Sequence, residues 1–257
     1  MVHDRSTAVE RSTYVDGTRW FWREWDSPIV RASQLPIVLV HGFAVSSSYM
    51  VPLGDHLSAT FRVVAPDLPG HGRSADPGRV LDVPETARAL VRWMEVCEIE
   101  RATFVGNSFG CQAIAALAVD HPSMVERIVL IGPTVDAEAR SLPRQLGRLA
   151  LDIVRERPVL VSIQALDYGR TGIWRSCLTA WHMFSDRIED RLPLIDAPAL
   201  VGRGARDPLA PRAWVEHCAG LLPNGRFIEI PGVAHAATYS AAGSLAYLIE
   251  RFMLEER

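Results

Sequence analysis

Five consecutive residues, Gly106-Asn107-Ser108-Phe109-Gly110, carry the strongest chemical signal in this chain. Upstream, Thr103-Phe104-Val105 is a short apolar, β-favouring run; downstream, from Cys111, the Ala/Ile/Leu-rich sequence reads as a buried helix, so the five residues must turn a strand into a helix. Glycines flanking the serine let strand and helix approach closely, and so tight a turn strains the central residue and lifts its Oγ above the sheet, at the positive end of the helix. A serine hydroxyl is a poor nucleophile until an imidazole takes its proton. That imidazole must in turn be held in one tautomer by a carboxylate, so the pattern demands an acid and then a histidine further along the chain. Gly202-Arg-Gly-Ala-Arg-Asp207-Pro208 puts Asp207 just past one strand end, and Ile230-Pro-Gly-Val-Ala-His235 puts His235 just past the next. Singly, Asp207 also fits a turn former and His235 a helix N-terminal histidine. Together with Ser108 they fit nucleophilic attack on a carbonyl carbon.

The elements that must position these groups alternate. Ser12-Thr-Tyr-Val and Arg19-Trp-Phe-Trp-Arg-Glu-Trp flank Asp16-Gly17, a hairpin signal. Pro36-Ile-Val-Leu-Val40 reads as a buried strand running into His41-Gly42-Phe43, and Ser46, Ser47 or Ser48 can N-cap a helix to about Leu57. Phe61 to Ala65 is the next strand, ending in the ordered loop Asp67-Leu-Pro-Gly-His-Gly-Arg-Ser74. Ala87, Leu90, Val91 and Met94 recur at helical spacing, and Val125 to Ile131 is a further strand. Beyond the Thr134–Leu192 stretch come a strand at Ala197–Gly202, a helix over 211–222, a strand at Arg226–Ile230 and a last helix to about Met253. An antiparallel start followed by strand–helix alternation predicts an α/β fold: a mostly parallel sheet with helices on both faces. Strand carboxyl ends open onto one edge of such a sheet, where Ser108, Asp207 and His235 can converge.

Between residues 134 and 192 the alternation stops. Leu142, Leu146, Leu149 and Ile153 form one helical stripe, and Trp174, Cys177, Leu178 and Trp181 another. The expected organisation is a core of residues 1–133 and 193–257 with a helical cap at 134–192, lying over the carboxyl edge as a lid. Trp174, Trp181, Met183 and Phe184 are the candidates to line a pocket for a small hydrophobic substrate, against plain packing between cap and core. Arg170 and Arg175 are candidates to anchor an anionic group, against solvated arginines.

Composition narrows the classes. The chain has 257 residues, 48% hydrophobic and 22% charged, with a formal net charge of -3 and no clustered basic run, which favours one globular domain and gives no footprint for nucleic acid. All 27 basic residues are arginine, which excludes a Schiff-base lysine and a phosphate-cradling Walker lysine. A polar stretch from Met1 to Ser12 and the absence of a long apolar run predict no membrane span and a cytoplasmic location. Cys97, Cys111, Cys177 and Cys218 are too scattered for a metal site and read as buried free thiols.

As a set, His41-Gly42-Phe43, the Asp67–Ser74 loop, the elbow around Ser108, the Asp207 turn and the His235 loop resemble the α/β-hydrolase fold superfamily, in its capped, esterase-like branch. The resemblance spans residues 12 to 255 and implies an eight-stranded sheet. It implies that Ser108 is the nucleophile, His235 the general base and acid, and Asp207 its orienting carboxylate, with Asp136 as the fallback acid. The backbone N–H groups of Phe43 and Phe109 would form the oxyanion hole, with His41, Asp67 and His71 serving the loops rather than the chemistry. No metal or cofactor is implied. The activity implied is hydrolysis of a small hydrophobic ester or lactone through an acyl-enzyme. Two alternatives stand beside it. One is a carbon–carbon hydrolase of the ring-cleavage type, which the elbow resembles although Ala236 stands where those enzymes tend to carry tryptophan. The other is a small-molecule receptor or a cofactor-free non-hydrolytic biosynthetic enzyme.

Overall fold

Asp16 and Gly17 both take positive φ, 48° and 77°, and close a two-residue hairpin between β1 (Val9–Val15) and β2 (Thr18–Trp25), with Val15 opposite Thr18. This is the start that the Asp-Gly pair predicts. The structure, a computed structural model, describes residues 7–26 and 35–254. Residues 1–6 of the polar N-terminal stretch, and positions 27–34 and 255–257 of the expected core, lie outside the described residues.

After the hairpin come β3 (Ile37–Val40), a short 3-10 turn (Ser47–Met50) capped by the Ser46 hydroxyl, and α1 (Val51–Leu57). β4 (Val63–Pro66) precedes α2 (Val83–Val96), which opens with a reciprocal cap between Asp82 and Glu85 that the apolar periodicity does not reveal. β5 (Ala102–Asn107), α3 (Phe109–Asp120) and β6 (Val125–Ile131) follow. The chain then leaves the sheet for α4 (Leu142–Arg155), α5 (Pro158–Thr171), α6 (Ile173–Ser185) and the short α7 (Ile188–Arg191). It returns through β7 (Ala199–Gly204), α8 (Arg212–Leu221), β8 (Gly225–Ile230), the one-turn α9 (Ala237–Ser240) and α10 (Ala242–Leu254).

The eight strands form one sheet in the order β1-β2-β4-β3-β5-β6-β7-β8, with β1, β2 and β4 antiparallel to their neighbours in turn and every later pairing parallel. Helices cover both faces. Val38, Val40, Phe104, Ile128 and Leu130 pack against α2, α3 and α8, while Ile37, Leu39, Val105, Val129 and Ile131 pack against α1, α9 and α10. Alternate side chains of one strand thus enter two different cores, which is why the central strands are unbroken apolar runs. All four cysteines are free thiols; Cys111 and Cys218 are buried as expected, but Cys97 is half-buried and Cys177, on α6 at the cavity, is exposed. Among the described residues no helix is long and apolar enough to cross a membrane.

Candidate active site

Ser108 joins β5 to α3 with φ 55° and ψ -117°, a conformation that L-residues avoid and that persists only where the surroundings impose it. The flanking glycines impose it. A Cβ on Gly106 would stand 2.6 Å from Ile114 Cδ1 and 2.9 Å from the Gly110 carbonyl carbon, and one on Gly110 would strike the Val40 and His41 carbonyl oxygens. The helix therefore lies directly on the strand. Gly42 sits against the same turn, its ideal Cβ position 3.3 Å from Ser108 Cβ, which brings the Gly42-Phe43 segment beside the serine. Phe43 is half-buried, with its ring edge-on to Tyr168 at 5.6 Å. Phe109 packs its side chain into the core, and its N–H, at the first position of α3, has no acceptor within the helix.

Asp207 follows β7 and His235 follows β8. His235 Nδ1 lies 2.8 Å from Asp207 Oδ2, while Asp207 Oδ1 accepts from the backbone N–H groups of Leu209 at 2.8 Å and Ala210 at 3.0 Å. Both Asp207 oxygens are thus engaged, and the carboxylate is fixed toward the imidazole. Arg203 braces the turn by donating to the Asp207 and Ala210 carbonyls, each at 2.8 Å, and to Glu229 at 2.6 Å. The pair needs room as well as bonds. Gly132, with φ 57°, supplies it: a Cβ there would stand 2.9 Å from His235 Cε1 and 3.1 Å from Asp207 Oδ2. Burial disfavours the imidazolium, but the charge and hydrogen bond of Asp207, helped by Asp152 and Glu156, outweigh it and raise the His235 pKa to about 9.

The His235 backbone is held from two sides. Asn107, beside the serine, donates from Nδ2 to the His235 carbonyl at 3.3 Å, and Asp152 of α4 accepts the His235 N–H at 3.1 Å. One turn on, Glu156 accepts the Ala236 N–H at 2.7 Å and the Ser240 hydroxyl at 3.2 Å. Asp152 is 4% exposed, and burial, only partly offset by the His235 charge, pushes its pKa up to about 6. Sequence reasoning misses both carboxylates and Asn107.

Ser108, His235, Asp152 and Phe43 line one cavity of about 510 Å³ under α4, α5 and α6. Its walls are mainly apolar, with Leu142, Leu146 and Leu149 on one side and Trp181, Met183 and Phe184 on the other. Trp174, also expected here, does not line it and is 73% exposed on α6. Ser108 Oγ lies 3.4 Å from Thr134 Oγ1, and His235 Nε2 is buried without a hydrogen-bond partner. The structure thus joins Asp207 to His235 and brings Ser108 to the same cavity, without a direct Ser108–His235 bond in this conformation.

The remaining candidates have other partners. Asp136 pairs with Arg148 at 2.7 Å and accepts the Glu138 N–H, so it is not a partner of His235. Arg175 is tied to Asp76 and to the Arg79 carbonyl, Arg170 is exposed near Asp167, and neither lines the cavity. His41 Nε2 accepts the Leu68 N–H at 3.0 Å while Nδ1 faces the Gly42 carbonyl at 2.8 Å, and burial lowers its pKa to about 4. Asp67 accepts the Ser47 and Arg73 N–H groups, and His71 Nδ1 faces the Pro69 carbonyl. These residues hold loops.

The family model described as "alpha/beta hydrolase fold" matches residues 36–161, a stretch that runs from β3 through the elbow into the inserted helices. The chain belongs to the α/β-hydrolase fold family. A crystal structure of the enol-lactonase from Burkholderia xenovorans superposes on this α/β-hydrolase with a TM-score of 0.80 at 25% identity, over 95% of this chain and 100% of that one. A pyrrolizixenacetamide deacetylase from Xenorhabdus hominickii is 27% identical over 86% of this chain and 91% of its own length. An uncharacterized protein from Mycobacterium tuberculosis is 33% identical over 66% of this chain; the match spans about half, 52%, of that relative.

Proposed function

We propose that this α/β-hydrolase is a serine hydrolase that cleaves a small hydrophobic carboxylic ester or lactone through an acyl-enzyme. The observation that carries the reading is the 2.8 Å contact between Asp207 and His235 at the wall of the apolar cavity that Ser108 also lines. In this reading Asp207 takes the Nδ1 proton in a hydrogen bond and leaves the Nε2 lone pair facing the cavity. Ser108 Oγ turns from Thr134 to His235 as substrate enters, since such hydrogen bonds tighten only in the substrate complex. It attacks the carbonyl carbon while its proton passes to Nε2, and the backbone N–H groups of Phe43 and Phe109 hold the oxyanion. His235 then hands that proton to the departing alkoxide. A water molecule, deprotonated by His235, attacks the acyl-enzyme, and Ser108 leaves with the proton while the acid is released.

Residues 134–192 act as the cap in this reading, with the leucines of α4 and Trp181, Met183 and Phe184 of α6 enclosing the apolar part of the substrate. A relative named as a deacetylase and a fold neighbour named as an enol-lactonase support acyl chemistry of this kind. Labelling with a fluorophosphonate, followed by mass spectrometry, tests the reading before any substrate is known. A single adduct on Ser108, lost in Ser108→Ala along with ester turnover, is the expected result. An adduct on a different serine overturns it.

A further inference from the structure

The inserted helices bury polar side chains and leave apolar ones exposed on their outer side. On α4, Leu151, Ile153 and Val154, which do not line the cavity, are 44%, 47% and 82% exposed, while Gln145 and Asp152 are buried. α6 repeats the pattern: Trp174 and Trp181, seven residues apart and so on one face, are largely exposed, whereas Arg175, Ser176 and Thr179 are buried. α5 buries Asp167 and Thr171 beside Leu160 and exposes Val159 and Leu166. A helix at a protein surface ordinarily points its apolar stripe at the core, and a continuous apolar exposure marks a contact surface.

Charge identifies what that surface fits. From Leu142 to Ser185 the carboxylates are Asp152, Glu156 and Asp167, and all of them are buried. The exposed charges of the same stretch are arginines, Arg144, Arg155, Arg157 and Arg170. A second copy meeting this face across a twofold axis would set arginine against arginine, with no carboxylate of these helices to separate them. An anionic lipid surface satisfies both components, its headgroups meeting the arginines and its acyl boundary taking the tryptophan and aliphatic side chains. At 14, 14 and 13 residues the three helices are too short to cross a bilayer, which takes about 20 residues, and would lie along it. The cavity opens in this face, since Leu142, Leu146 and Trp181 are at once lining residues and exposed.

We infer that α4, α5 and α6 form a peripheral docking face for an anionic lipid surface, with the cavity mouth turned toward the bilayer. A lipophilic substrate then reaches Ser108 without crossing water, a step that rests on the hydrolase reading; the docking itself does not.

Co-sedimentation with sucrose-loaded vesicles reads docking independently of turnover. The full chain should be captured by phosphatidylcholine vesicles containing phosphatidylserine, far less by phosphatidylcholine alone, and less at high salt. Arg157→Gln should weaken capture about fivefold, from the loss of one surface arginine, and Trp174→Ser about tenfold or more, from the loss of an exposed aromatic that would enter the acyl boundary. Hydrolysis of a soluble short-chain ester by Trp174→Ser should match wild type and so report an intact fold. Absent capture, or equal capture by both vesicles, overturns the inference. So does a Trp174-dependent dimer in sedimentation velocity without vesicle capture, which assigns the face to a second copy. Capture that persists while Ser108 fails to label sustains the docking face and strikes the hydrolase reading instead.

Discussion

The Asp152 carboxylate of α4 accepts the backbone N–H of His235 at 3.1 Å, so a helix outside the sheet holds the residue proposed as the base. Its charge also helps to raise the His235 pKa. Asparagine and alanine separate the two effects. Asp152→Asn keeps an acceptor and removes the charge, so turnover should persist while the ascending, acid-side limb of activity moves to lower pH. Asp152→Ala leaves a buried N–H unsatisfied, and an expected cost of about 1–3 kcal/mol should appear as roughly a 5- to 150-fold loss of kcat/KM. Equal pH profiles in wild type and Asp152→Asn would show that the carboxylate charge does not reach the imidazole.

The His235 pKa of about 9 fixes the direction of a pH dependence. The base must be neutral to accept the serine proton, so kcat/KM for a soluble ester should climb with pH and level off above about 9. Stability runs the other way. The folded pKa lies above the ordinary value of 6.5, so the imidazolium–Asp207 pair stabilises the fold fully below pH 6.5 and loses that contribution as pH rises through about 9. Thermal unfolding at pH 6 and pH 10 should show a larger drop for wild type than for Asp207→Asn. A rate profile flat from pH 6 to 10 is the adverse outcome.

Asp207 and Asp136 should part sharply. Asp207→Asn preserves shape but favours the wrong imidazole tautomer, and a loss of about 10⁴ in turnover is the precedent. Asp136→Asn breaks the pair with Arg148 and should lower the Tm by a few degrees with turnover retained. Steady-state kinetics and melting curves on both variants read the difference, and a greater kinetic loss at Asp136 would reverse the assignment.

Trp181 and Trp174 make a matched pair on one helix. Trp181→Ala should lower kcat/KM for long-chain esters by about 10- to 200-fold, the range for a small apolar contact, and leave acetyl esters nearly untouched. Trp174→Ala, outside the cavity, should leave the whole series of soluble esters unchanged. Parallel losses at every chain length in Trp181→Ala would remove it from the acyl site.

What the sequence discloses here depends on how local the cause is. Ser108 between two glycines and Asp16-Gly17 between β-favouring runs need only their neighbours to be read, and both stand where expected. Asp207 and His235 are legible because each follows an apolar strand, whose end fixes the sheet edge. Asp152 and Glu156 are hidden because two acids four apart on a helix usually mark a solvated face; their partners at His235 and Ala236 lie 83 and 80 residues away. Trp174 and Trp181 share a helical stripe, so periodicity alone places both in a pocket that receives one. Gly132 looks like any strand-ending glycine until the imidazole is seen occupying the space of its missing Cβ.

Helix α4 holds the His235 loop with Asp152 and Glu156 and frames the cavity mouth with Leu142 and Leu146. Entrance and base are therefore mechanically interlocked. Swinging the helix aside to admit a bulky molecule would tear its carboxylates from His235 and Ala236, so widening the aperture and disarming the imidazole are one movement. Under the proposed mechanism, molecules that fit the standing aperture would meet an armed base and those that must force it a slack one, which would make size selection a property of the helix rather than of any single contact.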